Sequence, residues 1–193
     1  MSRDTRQIII TALLRLAQRH PEKTQFTVTE IASEARISRQ AIYQKHYRNV
    51  DDIIQDIHLQ IATEARQKIT NYPPQSGKSP FLIIADEMIP VLYRYREWLR
   101  VIYTSSLYPG WLKYLEQSYR PWLTPFIVEN CPNLEVDLEI VLQLIIGHVL
   151  NLFVAWLKQP IPLPPDTFRE KFLDFILLSP NDYLSNQYRL KSE

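Results

Sequence analysis

Cysteine is nearly absent from this chain, and glycine is scarce. The 193 residues include 1 Cys and 3 Gly. Because Cys131 is alone, the sequence excludes an intramolecular disulfide and a zinc site built from several thiolates, and it suits a reducing compartment. So few glycines argue against a sheet rich in tight turns. The 14 prolines lie between long apolar-periodic stretches, which favours helices that end near proline.

The chain also lacks a strong charge bias, an apolar leader and a long apolar span. Its net charge of +1 at pH 7 gives no general attraction to nucleic acid. The N-terminal apolar run covers only residues 8–10, which is too short for a signal peptide. The most apolar stretch, 140–156, contains Gln143, His148 and Asn151 and is shorter than a membrane span. We therefore expect a cytoplasmic protein that does not enter a membrane.

Residue types used in catalysis do not form a motif. The 4 histidines lack metal-ligand spacing, and the chain has no glycine-rich phosphate loop and no nucleophile motif. The acidic pairs at 51–52 and 86–87 are typical of a helix start and of a solvated face. The sequence thus predicts no catalytic residue, no metal site and no cofactor.

Apolar periodicity predicts an all-α fold with about nine helices. An amphipathic pattern covers 4–20, Thr27 and Glu30 match a capping box, and Ser38 and Asn49 are suited to cap a third and a fourth helix. We expect a three-helix helix-turn-helix domain over 1–48 and a larger C-terminal domain over 49–193, connected by the fourth helix at about 50–70.

The segment 71–80, NYPPQSGKSP, is the clearest break in the periodic pattern and predicts a loop. Beyond it we expect helices near 81–95, 96–107, 109–128, 134–158 and 165–178. Pro90, Pro121 and Pro125 are expected to kink or split the helices that contain them.

The second and third predicted helices, 27–35 and 38–46, lie on either side of a corner at 36–37, as in a helix-turn-helix motif. Ala32 and Ala35 allow a close crossing, and Ile42 points inward. The residues left on the outer side can contact guanine and adenine edges or phosphates in a major groove; they are Arg39, Gln40, Tyr43, Gln44 and Lys45. The alternative is an ordinary solvated surface, which we disfavour because so short a helix is unstable alone.

The residues TEIASEARISRQAIY, followed by HY and NVDDII, resemble the DNA-binding domain of TetR-family (tetracycline-repressor-like) transcriptional regulators. The resemblance covers residues 5 to about 57 and implies a dimeric repressor that binds a palindromic operator and is released by a small-molecule effector. It also implies base contacts from Arg39, Gln40 and Gln44. The family positions that contact phosphates, or are positioned against them, correspond here to Thr27, Ser38, Tyr43, His46 and Tyr47.

The chain departs from the family pattern in three places. The segment from Tyr43 to Asn49 is one residue longer than the commonest pattern, and two single residues differ. Arg36 stands where glycine is usual, so it either adds a phosphate contact or distorts the turn, and Val50 stands where a phosphate-binding lysine is frequent. These departures support an alternative, a TetR-like co-regulator that binds protein with weakened or absent DNA binding. Cations exceed anions by only about two over residues 1–60, so a single domain should bind DNA weakly and a homodimer is expected.

The C-terminal part is rich in apolar and aromatic residues. Two of its helices resemble those that pair in the family, and they predict a dimer interface that includes Ile140, Leu144, Gly147, Leu152, Phe168, Phe172 and Phe175. A second set is expected to line a pocket for a planar or cationic small molecule and consists of Trp98, Tyr103, Trp111, Tyr114, Trp122, His148 and Asn151. Packing within one subunit is the alternative for both sets, and a protein partner is the alternative to a small effector.

Overall fold

The computed structural model describes residues 3–44, 47–130, 136–183 and 189. Within these ranges the chain forms nine helices and no strand, which confirms the predicted all-α fold. The helices are α1 (Arg3–Arg19), α2 (Val28–Ala35), α3 (Arg39–Tyr43), α4 (Val50–Ile69), α5 (80–94), α6 (Arg96–Thr104), α7 (Trp111–Asn130), α8 (Leu138–Leu157) and α9 (Pro165–Leu177).

The predicted caps set the boundaries of the first short helices. The Thr27 hydroxyl accepts from the Glu30 amide at 3.2 Å, and the Glu30 carboxylate accepts from the Thr27 amide at 2.8 Å, which completes the capping box of α2. Ser38 caps α3 through its hydroxyl. Asn49 and Asp52 form a second capping box at the start of α4. All three predicted caps are confirmed.

Proline has different effects on the backbone of two helices. In α5, Pro90 follows a π-helical turn, Ile84–Met88. Proline has no amide hydrogen to donate, and the wider hydrogen-bond spacing of this turn accommodates the missing bond. In α7, Pro121 and Pro125 lie inside one continuous helix, so the predicted split does not occur there. The two carbonyls that they leave unpaired belong to Gln117 and Pro121, which are exposed and available to water.

Buried apolar side chains form one continuous cluster from α1 to α9. Helix α1 packs against α2, α4 and α6, and α4 also packs against α5. Farther along the chain α8 packs against α6, α7 and α9. The amide of Ser106 donates to the carbonyl of Pro21 at 2.6 Å. The helix-turn-helix region is therefore held to the C-terminal helices by packing as well as by α4.

Candidate nucleic-acid interface and internal cavity

The corner between α2 and α3 is closed by backbone hydrogen bonds around Arg36. This residue has φ 55° and ψ 42°, a left-handed conformation. The amide of Ile37 donates to Ala32 O at 3.0 Å and the amide of Arg36 donates to Ser33 O at 3.2 Å, the Schellman arrangement. The turn therefore keeps its hydrogen bonds without glycine. It does so at a conformational cost of about 1 kcal/mol.

The outer side of α3 is exposed as predicted. Tyr43 is 52% exposed, while Ile42 is fully buried and holds the opposite side of the helix against the core. We call the exposed surface the α3 face, and it consists of Ser38, Arg39, Gln40, Tyr43 and Gln44. Thr27 is exposed at the start of α2. Lys45 and His46, also predicted to bind DNA, lie outside the described residues.

Tyr47, which the resemblance places where the family contacts or is positioned against phosphates, does not belong to the exposed surface. It is 6% exposed, and its hydroxyl donates to the carboxylate of Asp56, which also accepts from the guanidinium of Arg6. Burial raises the pKa of Tyr47. Its side chain therefore ties the segment before α4 to α1 and α4 rather than reaching outward.

Several acidic side chains of the first four helices are paired with cations. Glu34 pairs with Arg19, and Glu30 pairs with Lys23. The Lys23 ammonium and the hydrogen bonds from Thr27 lower the pKa of Glu30 to about 2, so its charge is retained far below neutral pH. These pairs reduce the repulsion that the acidic residues would exert on a nearby polyanion.

Four arginines of this region form no ion pair with the described residues; they are Arg15, Arg36, Arg39 and Arg48. Arg15 and Arg36 line one groove between α1 and the end of α2. Arg48 is exposed just before the N-cap of α4. In the sequence, Arg15 and Arg48 contributed only to the net charge, because tertiary contacts decide which arginines have an ion-pair partner. Arginines that form no ion pair with the described residues suit contacts with phosphates.

A cavity of about 50 Å³ lies among α4, α5, α6, α7 and α8. Three predicted residues, Tyr103, Trp111 and Trp122, line it. His58 and Tyr119 also line it and were not predicted to do so, since their pattern did not distinguish them from ordinary core residues. Burial raises the pKa values of Tyr103 and Tyr119 to about 12.

The other four predicted pocket residues do not line this cavity. Trp98 is half-buried beside Tyr95, and Tyr114 packs edge-on against His58 with ring centroids 4.3 Å apart. His148 and Asn151 are exposed on the opposite side of α8 from the cavity-lining Val149 and Leu150. Their shared helical face was predicted correctly, but its direction was not.

Among the described residues the cavity offers no counter-charge to a cationic ligand. Burial, with a smaller contribution from the positive charge of Arg66, lowers the pKa of His58 to about 4, so the ring is neutral at pH 7. Among the described residues no carboxylate lines the cavity. A cation entering it would lose hydration without gaining a counter-charge.

The outer side of α8 carries an apolar stripe that the described chain leaves uncovered. Leu144 is 66% exposed and Ile140 is 50% exposed, and a Cβ placed on Gly147 would meet nothing within 4 Å. Leu152 and Phe175 are half-buried. This stripe contains the part of the predicted interface that is accessible to a partner.

Phe168 and Phe172 are not accessible, contrary to the prediction. Phe168 stacks on Trp156 with centroids 4.0 Å apart, and Phe172 stacks on Phe153 with centroids 5.7 Å apart. Both are buried between α9 and α8 in one subunit. The periodic pattern identified an apolar face of α9 correctly but did not specify which helix covers it.

Helix α8 is longer than the stretch 140–156, which was judged too short to span a membrane. It has 20 residues and an 18-residue window of mean hydropathy 2.1, so it has the length and composition of a span. One third of that window is buried inside the protein. The length argument is therefore wrong, although α8 also packs as a core helix.

Comparison of the chain with protein-family models, curated proteins and solved structures gave no match. In the described part of the chain, no three His, Cys, Asp or Glu side chains are grouped as a metal site.

Proposed function

We propose that this protein is a dimeric DNA-binding transcriptional regulator of TetR type, a repressor released by a small-molecule effector. The observation that carries the proposal is the α3 face, where Arg39, Gln40 and Gln44 are exposed side by side on a capped helix. Arginine and glutamine are the side chains that form bidentate hydrogen bonds with guanine and adenine in the major groove. The sequence resemblance to TetR-family regulators covers the same residues.

An ordinary solvated surface explains the α3 face less well. Helix α3 has five residues, far below the length at which a helix is stable alone, and only Ile42 is buried. The chain nevertheless holds it with the Ser38 cap and with a corner that keeps Arg36 in a left-handed conformation. Arg36 precedes it and Arg48 follows it along the chain, and neither forms an ion pair with the described residues. A groove-binding helix requires polar side chains held outward on a fixed backbone, with cations nearby for the phosphates.

A homodimer would overcome the weak charge bias of one subunit. Two helix-turn-helix units double the phosphate contacts and bind two half-sites of a palindromic operator together. The uncovered stripe of α8 around Leu144 supports this part of the proposal, because a second copy of the stripe would remove both from water.

Selection of duplexes from a random DNA pool, followed by mobility shift at near-physiological salt, tests the proposal. We expect Arg39→Ala and Gln44→Ala each to weaken binding to the selected duplex by about 5- to 150-fold and to relax preference at one base position. Lys113→Ala is the matched control, because it removes an exposed cation on α7 that forms no ion pair with the described residues, and it should leave base preference unchanged. Folded variants with unaltered preference would show that the α3 face does not contact bases.

A protein-binding co-regulator is the second candidate. Val50, where the family usually has a phosphate-binding lysine, is packed against the core, and the large exposed ring of Tyr43 is suited to a protein contact. This candidate predicts that the folded wild-type chain enriches no duplex in the same selection.

A further inference from the structure

The groove between α1 and the end of α2 carries a surplus of positive charge. Its walls include three arginines, Arg15, Arg19 and Arg36, and one carboxylate, that of Glu34. Because Arg19 pairs with Glu34, the charges of Arg15 and Arg36 are left without compensation in the groove. The side chains of these two arginines form no ion pair and no hydrogen bond with the described residues. The groove therefore offers two guanidinium groups to an anion.

The backbone places one of these charges where glycine would fit more easily. Arg36 lies at φ 55° and ψ 42°, a conformation in which a Cβ atom is unfavourable. Within the described part of the chain, it is the one residue other than glycine with a positive φ. Strained backbone conformations are concentrated at functional sites, so this position favours a role for the guanidinium group itself.

The other wall residues and the size of the groove suit a phosphate. Thr11 and Ser33 add hydroxyl groups to the lining. Thr11 and Arg15 are four residues apart on α1 and therefore share one face of that helix. The groove has a volume of about 810 Å³, which lies in the range of about 300–1,000 Å³ for small-molecule sites. A phosphate and the group attached to it can therefore enter without displacing the walls.

We infer that this groove binds a phosphate group through the guanidinium groups of Arg15 and Arg36. Two guanidinium groups match the charge of a phosphate dianion, and their planar donors match the geometry of its oxygens. The phosphate belongs either to the backbone of a bound DNA duplex or to a free phosphorylated small molecule. The groove alone carries the assignment to phosphate, and only the DNA form rests on the proposed function.

Calorimetric titration of the wild-type protein with inorganic phosphate tests for a free ligand. Malonate is the matched probe, because at about pH 8 both anions carry two negative charges. At fixed ionic strength, phosphate should bind about tenfold more tightly than malonate. Equal binding of the two anions would show an unselective anion site and contradict the assignment to phosphate.

Two charge-removing variants identify the contact. Arg15→Gln and Arg36→Gln should each weaken phosphate binding by about tenfold or more, because each removes a charged donor. Arg36→Gln keeps a Cβ atom at the left-handed position, so its effect reports the charge and not the backbone strain. Lys113→Gln, which removes an exposed cation on α7 outside the groove, is the matched control and should bind phosphate like the wild type.

The same variants test the DNA backbone as the source of the phosphate. The slope of log affinity against log salt concentration falls by about 0.9 for each phosphate contact that is lost, or by about two for a dimer with two grooves. Arg15→Gln should reduce the slope by this amount and leave base preference unchanged, since phosphate contacts carry no sequence information. Lys113→Gln should change neither the slope nor the preference.

The two measurements separate the sources and separate this inference from the proposed function. A loss of phosphate binding alone assigns the groove to a free ligand, and a reduced salt slope alone assigns it to the DNA backbone. If no duplex binds, the proposed function fails and the phosphate titration decides the inference. If folded Arg15→Gln and Arg36→Gln match the wild type in every measurement that shows binding, or if nothing binds, the inference is overturned.

Discussion

His58 makes the stability of this protein depend on pH between about 6.5 and 4. Its side chain is 4% exposed and packs edge-on against Trp111 and Tyr114. Burial first, and then the charge of Arg66, lowers its pKa from 6.5 to about 4. The unfolded chain therefore binds a proton at His58 in this range while the folded chain does not, so stability is complete above pH 6.5 and falls with pH.

The size of the effect follows from the pKa shift. The difference between 6.5 and about 4 corresponds to a loss of about 3 kcal/mol, at about 1.4 kcal/mol for each pH unit. Marginally stable domains have about 5–15 kcal/mol in total, so the loss should be readily measurable. The lowered pKa of Glu30, about 2, affects stability only below about pH 4.5, so its effect can be separated from that of His58.

Urea unfolding at several pH values between 7 and 4 measures this loss. Between pH 7 and pH 4, the free energy of unfolding should fall by about 3 kcal/mol less in His58→Phe than in the wild type. His148→Gln, which replaces an exposed histidine on α8, is the control and should retain the wild-type slope. If His58→Phe loses stability as steeply as the wild type, the titration of His58 is not the cause.

Three further substitutions test the corner, the Tyr47 contact and the α8 stripe. Arg36→Gly should raise the free energy of unfolding by about 1 kcal/mol and weaken DNA binding, since it relieves the left-handed backbone and removes a positive charge; unchanged urea stability would refute the strain. Tyr47→Phe should cost about 1–2 kcal/mol by removing the hydrogen bond to Asp56, and an unchanged melting curve would contradict that role. Leu144→Glu should sediment as a monomer at micromolar concentration while Leu112→Glu, on α7, remains a dimer; identical behaviour of both variants would remove the α8 stripe from the interface.

Local features of the fold could be predicted from the sequence because their causes are local. The caps at Thr27, Ser38 and Asn49 depend on residues within four positions, and all formed as expected. The exposed side of α3 followed from the inward position of Ile42. The left-handed corner was marked by its place in the motif even though Arg36 replaces glycine.

The errors arose where a distant residue decides the environment. Tyr47 was expected to contact phosphates or to be positioned against them, and the sequence did not indicate that its hydroxyl is buried against Asp56, which Arg6 also contacts. Phe168 was expected at an interface, but Trp156 of the same subunit covers it. Periodicity identifies the apolar face of a helix but not the element that packs against it, so these contacts could not be derived from spacing.

The central claim is that the α3 face recognises DNA sequence, and a ratio of two affinities tests it most directly. Fluorescence anisotropy at near-physiological salt would compare the selected duplex with a shuffled duplex of equal composition. We predict that the wild type prefers the selected duplex by about 1,000-fold or more, and that Arg39→Ala reduces this ratio by tenfold or more. Equal affinity of the folded wild type for both duplexes would contradict the account.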